Sequence, residues 1–102
     1  MGCSEIQLKR LYNRFNTEYF NGELPDVIIF YSPVSAYADC DYVDGVFTIR
    51  VNPVVASWTG VLKLTLLHEM IHVKIHPVKS HGVKFDREVQ RLMQFKSVRS
   101  LI

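Results

Sequence analysis

Residues 61–73 read Val61-Leu62-Lys63-Leu64-Thr65-Leu66-Leu67-His68-Glu69-Met70-Ile71-His72-Val73, an apolar run carrying the pattern H-E-x-x-H. In a helix, residues four apart lie ~6 Å from each other along the axis and on one face, so the imidazoles of His68 and His72 can converge on one metal ion. Glu69, beside the first histidine, can reach a water activated by that ion without being a ligand, as a general base must. With average residue usage the pattern arises by chance in a chain this short on the order of once in a few hundred. The bland reading is a core histidine pair bonded to backbone or buried water. Two histidines and a glutamate in such apolar surroundings are costly unless something satisfies them, and a metal would take up both imidazoles.

The run is apolar nearly all round, which predicts the central helix of the fold, from about 57–59 to 74–75. Pro77 restricts His76 and stops it there. Upstream, Ser4 and Gln7 form a capping-box pair that starts a helix at Glu5. Leu8, Leu11, Tyr12, Phe15 and Tyr19 recur with helical spacing as its buried face, and Asn21-Gly22 supplies the stop. The aromatic stripe Tyr12, Phe15, Tyr19, Phe20 is core, not a base-stacking platform.

Three strand signals lie between the helices. Val27 to Tyr31 is a short β-branched apolar run, hence a largely buried strand. Ala36 to Val43 and Val46 to Val51 are joined by Asp44-Gly45, the dipeptide of two-residue hairpins. Phe47, Ile49 and Val51 alternate with polar-side neighbours, a half-buried strand. After the motif helix comes a short basic loop, Pro77–Ser80. A last helix begins near His81-Gly82, with Phe85, Val89, Leu92 and Met93 facing inward, and Ser97–Ile102 frays or docks. The order α-β-β-β-α-α makes an α+β domain, a zincin-like one with a small, mostly antiparallel sheet packed on the central helix.

Composition bounds the function. The 102 residues, 48% hydrophobic and 12% aromatic, suit a single folded domain spanning 1–102 and argue against a disordered tail. Residues 1–51 hold four Lys/Arg against seven Asp/Glu, and residues 52–102 hold eight against three. The basic second half makes a weak nucleic-acid contact an expectation, through Lys74, Lys79, Lys84, Arg87 and Arg91. Cys3 and Cys40 show no C-x-x-C spacing, so neither a disulfide framework nor a second zinc module is indicated. No secretory segment opens the chain, and the motif run is too short and too polar to span a bilayer. Met1-Gly2 resembles an acylation signal, but Ile6 stands where Ser or Thr is needed. These features predict a soluble, cytoplasmic monomer with no membrane partner, located at the nucleoid or in the nucleus if it is DNA-associated.

A catalytic zinc takes three protein ligands and leaves one position to water. His68 and His72 supply two. Candidates for the third are His76, His81, Asp86 and Glu88. His76 lies one further turn along, but on a continuous helix it would sit ~12 Å from His68, almost opposite across the metal. Pro77 can unwind the backbone there and relax that exclusion. His81 follows a short turn and enters from a separate element, with Gly82 letting the backbone come close, so it is the assignment made. Water on such a zinc has its pKa lowered to ~7, and Glu69 is placed to take its proton and pass it to a leaving amine. Cys40 reads as a buried structural cysteine, Asp39, Asp41 and Asp44 as solvated turn residues, and Trp58 as packing.

The segments Leu8 to Pro25, Leu66 to His72 and His81-Gly82-Val83-Lys84-Phe85 together resemble the SprT-like (Spartan-type) zinc metalloproteases. The last is similar to that family's H-G-x-x-F segment, which carries its third zinc ligand. The resemblance implies a minimal zincin domain and a zinc-dependent endopeptidase acting on protein or peptide. It also implies substrates bound or crosslinked to DNA. Two departures bear on that last point: the interval from His72 to His81 is shorter than in the members known for repair, and two cysteines cannot build a zinc ribbon. Two other functions compete, a metal-dependent hydrolase of a non-peptide bond and a binding module with a structural zinc. Glu69 favours an enzyme over the module.

Overall fold

The computed structural model describes residues 2–102. Helix α1 runs Glu5–Phe20, capped by Ser4, whose hydroxyl accepts from the Gln7 N–H while the Gln7 side chain accepts from the Ser4 N–H. Asn21 ends it in the left-handed region at φ 54°. Strands β1 (Val27–Tyr31), β2 (Ala38–Val43) and β3 (Val46–Val51) follow, then a 3-10 turn at Pro53–Val55 and the long helix α2 (Thr59–Ile75). Helices α3 (Val83–Leu92) and α4 (Lys96–Arg99) complete the chain. The C-terminal segment docks, with Val98 buried as the anchor of α4.

The sheet order is β1-β3-β2. Strands β2 and β3 form the expected antiparallel hairpin, whereas β1 pairs with β3 in parallel, Val27 opposite Phe47 and Tyr31 opposite Val51. One pair of each kind makes the sheet mixed. The physical reason lies in the crossover: residues 32–37 carry the chain past β3 before the hairpin starts, so β3 returns beside β1 in the same direction. The loop is tied down by Asn52, whose side-chain amide donates to the carbonyls of Val34 (2.9 Å) and Ala36 (3.2 Å). This shortens β2 to begin at Ala38, two residues later than the sequence pattern predicts.

Alternation puts Val27, Ile29, Phe47, Ile49, Val51 and Ala38 on the inner face, packed with Leu8, Tyr12 and Phe15 of α1 and Leu62, Leu66 and Met70 of α2. The aromatic stripe of α1 is buried, as expected. The two edges of the sheet differ. Along β1, Lys9 donates to the Val27 carbonyl, and the Tyr31 N–H donates to Glu5 Oε2 at 2.9 Å. Side chains of α1 therefore occupy that edge. Edge β2 faces α2 and the cleft.

Candidate metal centre

Helix α2 brings the site to the sheet. Its apolar surround buries Leu66, Leu67, Met70, Ile71 and Val73, which leaves His68, Glu69 and His72 facing β2 and the turn before α3. The turn is held by α3, and α3 is held from two sides. Lys74 Nζ donates to Glu88 Oε1 at 2.8 Å, linking α2 to α3. Arg91 donates to the same oxygen at 2.9 Å and to the Tyr19 carbonyl, and its guanidinium lies 4.9 Å from the Phe20 ring centroid, linking α3 to α1.

The result is a histidine trio. Each of His68, His72 and His81 offers one ring nitrogen, and these atoms all lie within 4.8 Å of one another. His72 Nε2 and His81 Nε2 are 3.0 Å apart. Tetrahedral zinc with Zn–N bonds of about 2.0–2.1 Å holds its nitrogens roughly 3.3 Å apart, so the trio needs only small adjustment to take one ion. Three nitrogen donors also suit a zinc-type cation better than calcium or magnesium, which favour oxygen. His76 stands apart from the trio. It lies tilted against Tyr42 at 4.2 Å between ring centroids and meets Phe47 edge-on at 5.1 Å. His81, from the separate element, is the third histidine.

Protonation states favour binding a cation. Burial pulls His68 down to about 4, and the neighbouring His72 and His81 add to this. Burial, then His81, lowers His72 as well. Both rings are thus held neutral, the form that ligates. Glu69 is 6% exposed, and burial pushes its carboxyl up to about 7, with the Asp39 carboxylate contributing. An acid titrating near neutrality is matched to taking and returning a proton.

Phe85 was legible in the sequence only as a core residue. In the structure it is also the surface on which the trio is built. Its ring stacks on His81 (4.3 Å, 26° between planes) and touches His68 (4.9 Å) and His72 (5.2 Å). The signal was its position four residues after His81, one helical turn away.

Other expectations change. Cys40 is half-buried and lines the cleft, its thiol pushed up to about 12 by burial first and by Glu69 next. Asp39 and Asp41 lie on β2, where Arg50 pairs with Asp39 through two bonds of 2.8 Å and with Asp41 at 3.1 Å. They are strand residues of a cross-strand ion cluster, with only Asp44 in the turn. Trp58 is 47% exposed and meets Tyr37 edge-on at 6.3 Å, so it is a surface aromatic. Of the five cations named for nucleic acid, Lys74 and Arg91 are already paired with Glu88, leaving Lys79, Lys84 and Arg87 exposed.

A helix carrying H-E-x-x-H against a short sheet, with a third histidine from the following turn, defines the zincin type of metal site. The family model described as SprT-like matches residues 8–100, and the chain belongs to the SprT-like family. Among solved structures it is similar to the metallopeptidase zymogen abylysin of Pyrococcus abyssi, with TM-score 0.68 and 21% identity over 92% of this chain and 87% of that one. It is likewise similar to the metallopeptidase zymogen jannalysin of Methanocaldococcus jannaschii, with TM-score 0.62 and 23% identity over 93% and 97%. At these identities the likeness is one of fold. No curated protein matches the chain. Among the described residues, no helix is long and apolar enough to cross a membrane.

Proposed function

We propose that this member of the SprT-like family is a zinc endopeptidase, with His68, His72 and His81 holding the ion and Glu69 as general base. The observation that carries the reading is the trio's convergence beside a buried glutamate in an open cleft of about 480 Å³. Family membership and two metallopeptidase neighbours of the same fold support it. A zinc ion held there supplies Lewis acidity toward water and the scissile carbonyl. The chain's own residues do the rest. Strand β2 lines the cleft with residues 38–42 and is the edge that α1 does not occupy, so an extended peptide pairs with it and lies across the trio. Glu69 takes a proton from the attacking water and returns it to the leaving nitrogen. Burial of Glu69 keeps that proton exchange out of bulk solvent.

DNA-associated protein is the substrate class we assign, on the strength of family membership and of Lys79, Lys84 and Arg87 near the site. The contact is weak because only three of the five cations are free of carboxylate partners, and the enzyme acts as a monomer. The test is zinc analysis of the purified protein together with cleavage of casein and of histones, with and without single-stranded DNA. One equivalent of zinc and cleavage lost in Glu69→Gln are expected. Zinc well under half an equivalent after loading, or cleavage retained in that variant, overturns the reading.

A further inference from the structure

Helix α1 divides its charges between two faces. Glu5 and Lys9 turn to strand β1, where Glu5 accepts from the Tyr31 N–H while Lys9 pairs with Asp26 and donates to the Val27 carbonyl. Arg10 and Arg14, one helical turn apart, instead line a cavity of about 490 Å³ that α1 forms with the start of α2, where Lys63 joins them. We propose that this cavity binds a small-molecule di- or triphosphate, with Arg10, Arg14 and Lys63 holding the phosphate oxygens. The site is independent of the peptidase reading. No residue lines both it and the metal cleft, and Lys63, five residues before His68, lies about 140° from it round α2.

Three observations carry it. First, the cations gather without an anion: no Asp or Glu lines the cavity. Like charges at i, i+4 repel, and Lys63 adds to that repulsion, which a polyanion would relieve. Second, the cations are free to bind. Among the described residues Arg10 and Lys63 make no ion pair, and Arg14 reaches only the exposed Glu18, at 3.6 Å. A surface pair of that kind is weak enough to give way to a phosphate. Third, Leu11, Ala56 and Leu62 give the cavity an apolar floor beneath the charges. A pocket of this size with apolar walls and a few convergent polar groups is the usual form of a small-molecule site.

The donor set selects the ligand. Guanidinium forks meet phosphate oxygens in pairs, and a lysine adds a point charge. Arg10 and Arg14 stand ~6 Å apart along the helix axis, farther than the oxygens of one phosphate span, so a row of two or three phosphates suits them. Helix α2 also begins at this cavity, at Thr59, with no side chain capping it, so its first N–H groups add to the positive potential. Free polyphosphate and a nucleotide share this chemistry, and only the nucleotide would also cover the apolar floor.

The test is an NMR titration of the isotope-labelled, zinc-loaded full chain with pyrophosphate, ADP and adenosine in phosphate-free buffer. Amides of Arg10, Leu11, Arg14, Thr59 and Lys63 are expected to shift along one saturating curve with pyrophosphate and with ADP, at a Kd under about 1 mM, and to stay still with adenosine. Following these amides separates the site from any phosphate that meets the zinc. The double variant Arg10→Gln with Lys63→Gln is expected to weaken binding at least ~10-fold. Arg10→Gln alone, at an exposed position, repeats the test, and Lys96→Gln on α4 leaves the affinity unchanged. ADP binding more tightly than pyrophosphate assigns a nucleotide; equal affinities assign free polyphosphate. Absence of saturable shifts at these amides, or affinity kept in both the single and the double variant, overturns the site. So does an oligonucleotide that saturates these amides when neither pyrophosphate nor ADP does, because the three cations then belong to a nucleic-acid track.

Discussion

Replacing Phe85 by leucine separates holding the metal from ligating it. The ring makes three contacts with imidazoles, at 4.3, 4.9 and 5.2 Å between centroids, and the residue is 7% exposed. Each such ring pair contributes about 0.5–1.5 kcal/mol beyond its buried area. Leucine fills part of the volume without a flat surface, so the three imidazoles lose their common support while all three nitrogens remain. Loss of groups that orient ligands lowers metal affinity about 10- to 100-fold, or about 1.4–2.8 kcal/mol. The three contacts together put the cost to the fold at about 1.5–4.5 kcal/mol, below the 5–15 kcal/mol usual for such a domain, so the variant stays folded. Zinc affinity is measured by competition with a chromophoric chelator, alongside a circular-dichroism melt of the metal-free protein. An unchanged zinc Kd in a folded Phe85→Leu protein refutes the idea that the ring orients the trio.

Four further outcomes are expected. His81→Ala loses zinc and hydrolysis while His76→Ala keeps the metal; the reverse pattern, read by metal analysis, would reassign the third ligand. Glu69→Gln keeps zinc and loses hydrolysis, because an amide cannot take a proton from the attacking water; zinc loss instead would make Glu69 a structural partner. DNA binding through Lys79, Lys84 and Arg87 gives a shallow plot of log affinity against log salt, with a slope of roughly −2 for single strands; binding indifferent to salt contradicts it. The fourth concerns the metal-free protein and pH. His68 is depressed to about 4, so the stability it contributes is present above its ordinary 6.5 and lost as pH falls through about 4. Glu69 is raised to about 7, so its contribution is present below its ordinary 4.5 and lost as pH rises through about 7. Glu69 opposes His68 between pH 4 and 7, while His72, lowered as well, adds to the histidine side, so denaturant midpoints of wild type fall less steeply there than the histidines alone dictate. Glu69→Gln leaves only the histidine side, and its stability falls steadily from pH 7 to 4. A flat profile in that variant is the result that would sink this account.

How much of this was legible beforehand follows from the range of each interaction. The helices and the hairpin were, because capping Ser4/Gln7, the Asp44-Gly45 turn and the stop at Pro77 act within a few residues. The trio was legible too, since one helical turn joins His68 to His72 and Gly82 marks the entry of His81. The parallel pairing of β1 was not, because an apolar run such as Val27 to Tyr31 is consistent with either direction. Nor was Phe85 as a support for the trio, or the course of the 32–37 loop. The loop depends on Asn52 reaching back across the chain, a contact no local pattern encodes. Lys74 and Arg91 were counted as free cations for the same reason: Glu88, which claims both, is visible as their partner only once α2 and α3 are packed.

The unequal edges of the sheet also decide how copies of this chain can meet. With Lys9 and Glu5 already bonded to the backbone of β1, strand addition on that side has to displace both. Among the described residues, edge β2 carries no such side-chain bonds to its backbone and is the more open of the two, and a sheet that grows from one side cannot propagate. Two molecules joined β2 to β2 would use up both open edges and stop as a closed pair, with no route to a fibre. Such a pair would also cover both clefts, so on the peptidase reading proposed above self-association and peptide binding draw on the same strand.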